Sequence, residues 1–181
     1  MSEVFISYST QDSHIANAIC HVIEENGIRC WIAPRDITGG RIYASEIVKA
    51  IKDVKIVLVV VSEKSNKSQH VLNEINIAVE NNKIILPFKI DSSLIKDEFS
   101  YYLNKTHWID AFPEPQNLFS TLVKNVSVLL NKKLTEDTLV SLLDQEYEKQ
   151  TNYDMLRKKA QEQRFAFVMS IDESSEEEID S

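Results

Sequence analysis

Glycine is scarce in this chain: 181 residues hold three, Gly27, Gly39 and Gly40. No GxGxxG follows a strand-like run and no GxxxxGK[ST] occurs, so neither the dinucleotide fingerprint nor a P-loop is present to cradle phosphates on backbone N–H groups. No HExxH or other cluster of metal ligands is seen, and no metal site is expected. No GxSxG nucleophile elbow is present. Cysteine occurs twice, at Cys20 and Cys30, without a CxxC pair. That excludes a zinc pattern and a disulfide framework; both residues sit among apolar neighbours and are expected as buried free thiols in a reducing cytosol. The longest apolar run, 56–61, is far too short to cross a bilayer, so no membrane is expected as a partner. Met1-Ser2-Glu3-Val4 leads straight into a strand-like run, so no secretory signal is expected and the expected compartment is the cytoplasm.

What the chain does have is apolar substance and excess acid. Hydrophobic residues make up 43%, which places it among globular chains. Its length suffices for one domain with a substantial core and an appendage. The net charge is −8, a sign that repels phosphates and anionic lipid, so nucleic acid is not an expected partner. Asp172, Glu173, Glu176, Glu177, Glu178 and Asp180 carry most of that imbalance, which leaves the body close to neutral and makes 171–181 an expected disordered acidic tail.

Periodicity gives an alternation of strands and helices. Val4-Phe5-Ile6 reads as a buried strand ending in the polar turn Ser7-Tyr8-Ser9-Thr10. Ile15, Ile19, Val22 and Ile23 recur at helical spacing, and Gly27 stops that helix. Ile28, Cys30 and Ile32 alternate as a second strand. A mobile loop follows at 34–41, with Pro34 and Arg41 at its ends and Gly39-Gly40 within. Ala44, Ile47, Val48 and Ile51 mark a second helix. The β-branched run 55–61 predicts a central parallel strand buried on both faces. Ser68 caps a third helix through Val71, Ile75 and Ala78. Strands follow at 84–90, weakened at its far end by Pro87, and at 107–110. Leu118, Leu122, Val126 and Leu129 mark a closing helix. Such alternation predicts an α/β fold, a doubly wound parallel sheet of order 2-1-3-4-5 with helices on both faces. Its ligand crevice then lies outside the carboxyl ends of the first and third strands. The domain is expected at 1–132, with a helical extension at 133–170.

With cofactor fingerprints and metal motifs absent, a metal-free mechanism built on a carboxylate remains, and Glu74 is the carboxylate to weigh. On a helix turning about 100° per residue, Glu74 falls at the edge of the apolar arc, apart from the outward cluster of Asn73, Asn76 and Glu80. His70 lies one turn earlier on the same flank. A half-buried glutamate beside the crevice has its pKa raised. The other reading is a glutamate whose methylenes pack while its carboxylate reaches water or a lysine, and pattern alone leans that way. Ser7, Tyr8 and Ser9 can bind ribose or phosphate, or serve as ordinary turn and capping residues. Arg35 can shape its loop through an ion pair with Asp36, or meet phosphate or a partner. Tyr43 can stack on a flat ring or pack at a helix start. Trp31 reads as core, His107 and Trp108 as structural, His14 and His21 as solvated.

Together these segments resemble a known family. Val4-Phe5-Ile6-Ser7-Tyr8-Ser9 is similar to the first box of TIR (Toll/interleukin-1 receptor) domains. Cys30-Trp31-Ile32-Ala33-Pro34-Arg35-Asp36-Ile37 with Gly39-Gly40 resembles their second strand and BB loop. Ser65-Asn66-Lys67-Ser68-Gln69-His70-Val71-Leu72-Asn73-Glu74 resembles the third-helix segment of a bacterial branch, and His107-Trp108-Ile109-Asp110-Ala111 the late strand. The resemblance covers 1–132.

It implies a flavodoxin-like fold and, for the NAD-cleaving branch, scission of the nicotinamide–ribose bond of NAD⁺, giving nicotinamide and ADP-ribose or a cyclic isomer. NAD⁺ is then substrate, and no cofactor is implied. Glu74 matches the catalytic position, which reverses the balance reached from pattern alone. Ser7, Tyr8, Ser9, Arg35, Tyr43 and His70 are the implied substrate-binding set. One departure is that His70 stands where many enzymatic members carry tryptophan, offering less stacking area. The resemblance also implies self-association through the loop at 34–41, and a role in bacterial antiphage signalling, either by depleting NAD⁺ or through a nucleotide messenger read by a separate effector protein. Two alternatives remain: a non-enzymatic interaction module, as an adaptor or host-mimicking effector, and an enzyme like the nucleoside 2-deoxyribosyltransferases.

Overall fold

The computed structural model describes residues 1–40, 42–95, 97–103 and 106–132, together with Asp144, Met155 and Lys159. The chain divides into two compact units, Met1–Leu139 and Val140–Ser181. The expected extension and tail lie outside the described residues, save for Asp144, Met155 and Lys159, which have helical backbone and exposed side chains.

In the first unit the strands are β1 (Val4–Ser7), β2 (Cys30–Trp31), β3 (Ile56–Val61), β4 (Ile84–Lys89) and β5 (Ile109–Asp110). The helices are α1 (Ser13–Glu25), α2 (Tyr43–Asp53), α3 (Gln69–Glu80), α4 (Asp97–Leu103) and α5 (Phe119–Leu129). The sheet has the order β2-β1-β3-β4-β5, and every pairing is parallel. That is the flavodoxin-like order expected from the alternation.

All six residues of β3 are buried, and the strand pairs with β1 on one side and β4 on the other. Successive side chains of a strand point to opposite faces. Ile56, Leu58 and Val60 accordingly join Val4 and Ile6 in a core with Ile15, Ile19 and Ile23 of α1 and Leu122, Val123 and Val126 of α5. Val57, Val59 and Val61 join Phe5 in the opposite core, with Ile47 and Ile51 of α2, Val71 and Ile75 of α3, and Phe99 and Leu103 of α4. Trp31 is half-buried there and stacks on Phe5, ring centroids 5.0 Å apart.

Local signals behave as chemistry requires. Gly27 takes φ +73 after α1, and its N–H donates to the Glu24 carbonyl at 2.9 Å, closing the helix in the left-handed conformation glycine tolerates. Ser68 Oγ accepts the Val71 N–H at the start of α3. Pro87 sits inside β4, opposite Val59; β5 pairs only with the Phe88 and Lys89 that follow, so β4 continues past the residue lacking an N–H. Periodicity does not predict α4, whose two buried anchors, Phe99 and Leu103, make a single turn of signal. No helix among the described residues is long and apolar enough to cross a membrane.

Candidate active site

A cleft of about 450 Å³ opens where the sheet order predicts a ligand crevice, beyond the carboxyl ends of the strands. Its walls come from four segments. Tyr8, Ser9 and Thr10 follow β1; Ala33 and Pro34 follow β2; Tyr43 and Ile47 lie one turn apart on α2; Ser68, His70 and Glu74 belong to the start and first turns of α3. Phe5 and Ile6 supply apolar surface. This size and largely apolar lining with few polar groups is typical of small-molecule sites.

Glu74 is the carboxylate of the cleft. The residue as a whole is partly exposed, while its carboxyl group is enclosed. Burial pushes that carboxyl up to about 7, against the Ser7 hydroxyl, whose hydrogen bond favours the charged form. Ser7 Oγ donates to Glu74 Oε2 at 2.6 Å. One carboxylate oxygen is thus held from behind by the last residue of β1. The Tyr8 hydroxyl donates to the Ala33 carbonyl, tying the β1 turn to the segment after β2. Burial raises the Tyr8 phenol above its usual range, with Tyr43 and Glu74 adding to it. Tyr43 is 51% exposed at the mouth, and His70 is exposed one turn before Glu74.

Five of the residues singled out from the sequence therefore meet in one cleft: Tyr8, Ser9, Tyr43, His70 and Glu74. Ser7 does not line it; it is fully buried and reaches the cleft only through Glu74. Arg35 does not line it either. Its guanidinium donates to both oxygens of Glu24, at 2.8 and 2.9 Å, and to Asp36 Oδ2 at 2.8 Å. Asp36 in turn accepts the Ile32 N–H at 2.8 Å. Arg35 is thus a strut of the loop, the ion-pair alternative, because two carboxylates already hold the charge that a phosphate would need. Of the loop at 34–41, Arg41 lies outside the described residues. Thr10, Ala33, Ile47 and Ser68 line the cleft without having been singled out for it; read as turn, core or cap residues, they carry no separate signal.

Among the described residues one set of metal-capable donors converges, Cys20, Glu24 and Cys30, none of them lining the cleft. Arg35 already bonds to Glu24 and to Cys20 Sγ. Both thiols are free and buried, as expected. His14 and His21 are exposed, as is His107, and the Trp108 indole N–H donates to the Leu103 carbonyl at 2.9 Å.

Comparison with known proteins follows the same architecture. The family model for the TIR domain matches residues 4–123. No curated protein matches the chain. Among solved structures, the TIR domain of the Toll-related receptor TRR-2 from Hydra magnipapillata is 22% identical, with TM-score 0.59 over 70% of this chain and 98% of that one. A metazoan TIR-STING receptor from C. gigas in complex with 2',3'-cGAMP is 25% identical, with TM-score 0.56; the match covers 68% of this chain and 39% of the receptor. The RPS4 and RRS1 TIR domain heterodimer is 16% identical, with TM-score 0.54 over 71% of this chain and 98% of that one.

Proposed function

This chain belongs to the TIR domain family, and from that premise we propose that it cleaves the nicotinamide–ribose bond of NAD⁺, with Glu74 as the catalytic carboxylate. The observation that carries the reading is an enclosed carboxyl group on the wall of a ligand-sized cleft at the carboxyl end of the sheet. The substrate's chemistry suits it. The pyridinium of NAD⁺ is cationic, so nicotinamide departs neutral without an acid, and positive charge develops on the ribose as in glycoside hydrolysis. A fixed carboxylate beside that carbon stabilises the charge where it forms.

Two features prepare Glu74 for this. Ser7 occupies Oε2, which leaves Oε1 for the ribose. Burial holds the carboxyl near neutrality, so an arriving cation draws it into the ionised form that the reaction uses. Water then captures the sugar to give ADP-ribose, or an adenine ring nitrogen captures it to give a cyclic isomer. Tyr43 offers a face for a flat ring at the mouth, and Tyr8, Ser9 and His70 offer polar edges. The residues assigned to the reaction call for no metal or cofactor.

The proposed setting is the cytoplasm, in bacterial antiphage signalling that depletes NAD⁺ or makes a nucleotide messenger for a separate effector. Self-association through the loop at 34–41 is part of the proposal. The exposure of Thr38, Gly39 and Gly40 supports it, as does the pairing of TIR domains in the RPS4–RRS1 heterodimer. A second reading, a non-enzymatic interaction module, draws on the exposed His70 in place of a broad stacking indole.

Incubation with NAD⁺ and mass spectrometry of the products separates the two. Wild type is expected to release nicotinamide and Glu74→Gln is not. Equal turnover by a folded Glu74→Gln chain overturns the assignment, and a wild type inert at every concentration leaves the interaction module.

A further inference from the structure

Away from the cleft, Cys20 on α1, Glu24 one turn later and Cys30 on β2 bring two sulfurs and a carboxylate oxygen within 4.8 Å of one another. We propose that Cys20 and Cys30 are a modification site, a dithiol at the root of the 34–41 loop that closes to a disulfide by exchange with a small-molecule disulfide. This inference does not rest on the reaction proposed above.

The two thiols are unequal. Arg35 Nη1 donates to Cys20 Sγ at 3.3 Å, placing a positive charge against that sulfur. The Cys20 thiol is drawn below its usual range, first by the hydrogen bond from Cys30 and, against burial, by the Arg35 charge. Cys30 is pushed far up, first by its contact with Cys20 and then by burial, and its Sγ donates to the Ile28 carbonyl at 3.9 Å. The Glu24 and Asp36 carboxylates act the other way, and it is the direct Arg35 contact on the Cys20 sulfur that sets the two thiols apart. Cys20 is the attacking thiol and Cys30 the resolving one.

The exchange balances in two displacements. The Cys20 thiolate attacks one sulfur of the small disulfide, forming a mixed disulfide and expelling one small thiolate. Cys30 gives up its proton and attacks the Cys20 sulfur, expelling the second. Two protein thiols are oxidised and one small disulfide is reduced to two thiols. Both cysteines are buried, at 3% and 1% exposure. The Arg35 guanidinium that touches the Cys20 sulfur is paired with Glu24, and those two side chains are 45% and 32% exposed. Attack on Cys20 therefore waits on a local opening in which Arg35 releases Glu24, Asp36 and the Cys30 carbonyl together. A soft metal ion fits these donors in kind, but the Arg35 guanidinium already bonds to both Glu24 oxygens and to the Cys20 sulfur, so a cation's place is taken.

The test uses the full chain in mixtures of reduced and oxidised glutathione, without denaturant. Acid quenching, alkylation and peptide mass mapping follow, and circular dichroism verifies the fold. The expected product is a Cys20–Cys30 cross-link lacking two hydrogens. Cys30→Ala is expected to hold glutathione on Cys20, Cys20→Ala to leave Cys30 unmodified over the same time, and Arg35→Gln to move the onset of Cys20 modification to higher pH, a shift that easier access alone does not produce. Two free thiols in folded wild type, a cross-link formed only in denaturant, or glutathione taken up by Cys30 as readily as by Cys20 overturns the proposal. Should a cysteine variant misfold, the wild-type cross-link and its pulse-alkylation order decide alone.

Discussion

Ser7 Oγ donates to Glu74 Oε2 at 2.6 Å, joining the last residue of β1 to the wall of the cleft across 67 positions of sequence. The bond has a chemical consequence, because it favours the charged carboxylate while burial opposes it. Ser7→Ala removes a small buried hydroxyl without overpacking. The Glu74 carboxyl is then expected to titrate higher still. The acid limb of kcat/KM for NAD⁺ should move to higher pH, with turnover near pH 7 falling about tenfold and largely recovering in base. A merely structural role would lower activity evenly at all pH, so the full profile is the measurement. Ser7 is here a positioning residue.

Glu74 itself couples pH to stability. Its folded value is about 7 against an ordinary 4.5, so the folded chain holds this proton more tightly than the unfolded chain between those values. Stability from this group is complete below about 4.5, declines as pH rises, and is lost above about 7. Glu74→Gln does not titrate and escapes the loss. Near pH 8 the variant is expected to be more stable than wild type by on the order of 2 kcal/mol, while the two converge in acid. Thermal unfolding at both ends of the window checks this, and a variant less stable than wild type at high pH contradicts it. Gained stability with lost turnover is the pattern expected of a carboxylate kept for chemistry.

The same titration predicts the rate profile of the wild type. In the free protein Glu74 ionises near 7, so kcat/KM should fall as pH drops through about that value. Bound NAD⁺ brings a cation beside the carboxylate and lowers its pKa, so the limb in kcat should lie at lower pH than the limb in kcat/KM. Coincident limbs would mean that the pyridinium and Glu74 are not close in the complex.

Arg35 gives the contrasting case of a charged residue whose role is architectural. It joins α1, β2 and the loop through Glu24, the Cys30 carbonyl and Asp36. Arg35→Ala is expected to cost about 1 kcal/mol of stability, the partly exposed setting tempering a bidentate pair. It should leave the KM of isolated protein for NAD⁺ nearly unchanged. A large rise in KM with an unaltered melting temperature would restore the phosphate-binding role that the sequence leaves open.

These examples show what a one-dimensional pattern carries. The run of six buried residues in β3 and the recurrence of Ile15, Ile19 and Ile23 register the sheet and its covering helix, because burial imposes a period. The edge position of Glu74 on the apolar arc of α3 is legible for the same reason. The partner of Glu74 is not, since nothing local marks Ser7 as its donor. Nor is Glu24 marked as the carboxylate that claims Arg35; adjacent Asp36 is the pairing that the eye finds first, and both form. Helix α4 escapes notice because two anchors, Phe99 and Leu103, define no period.

Assembly leads to a last prediction. Ile42, directly before α2 and Tyr43, is 75% exposed, an unusual place for a large aliphatic side chain beside a glycine-hinged loop. Covering it against a neighbouring copy would contribute about 2 kcal/mol. If proposed self-association completes the cleft, turnover per chain should rise with protein concentration. Ile42→Asp should shift that rise to roughly thirtyfold higher concentration, the factor corresponding to about 2 kcal/mol. Being exposed, the substitution should leave the melting temperature nearly as it was. Light scattering and turnover measured on the same dilution series check both halves. Turnover strictly proportional to concentration in the wild type, with no larger species present, would place the whole cleft in one chain and leave the exposure of Ile42 without a catalytic purpose.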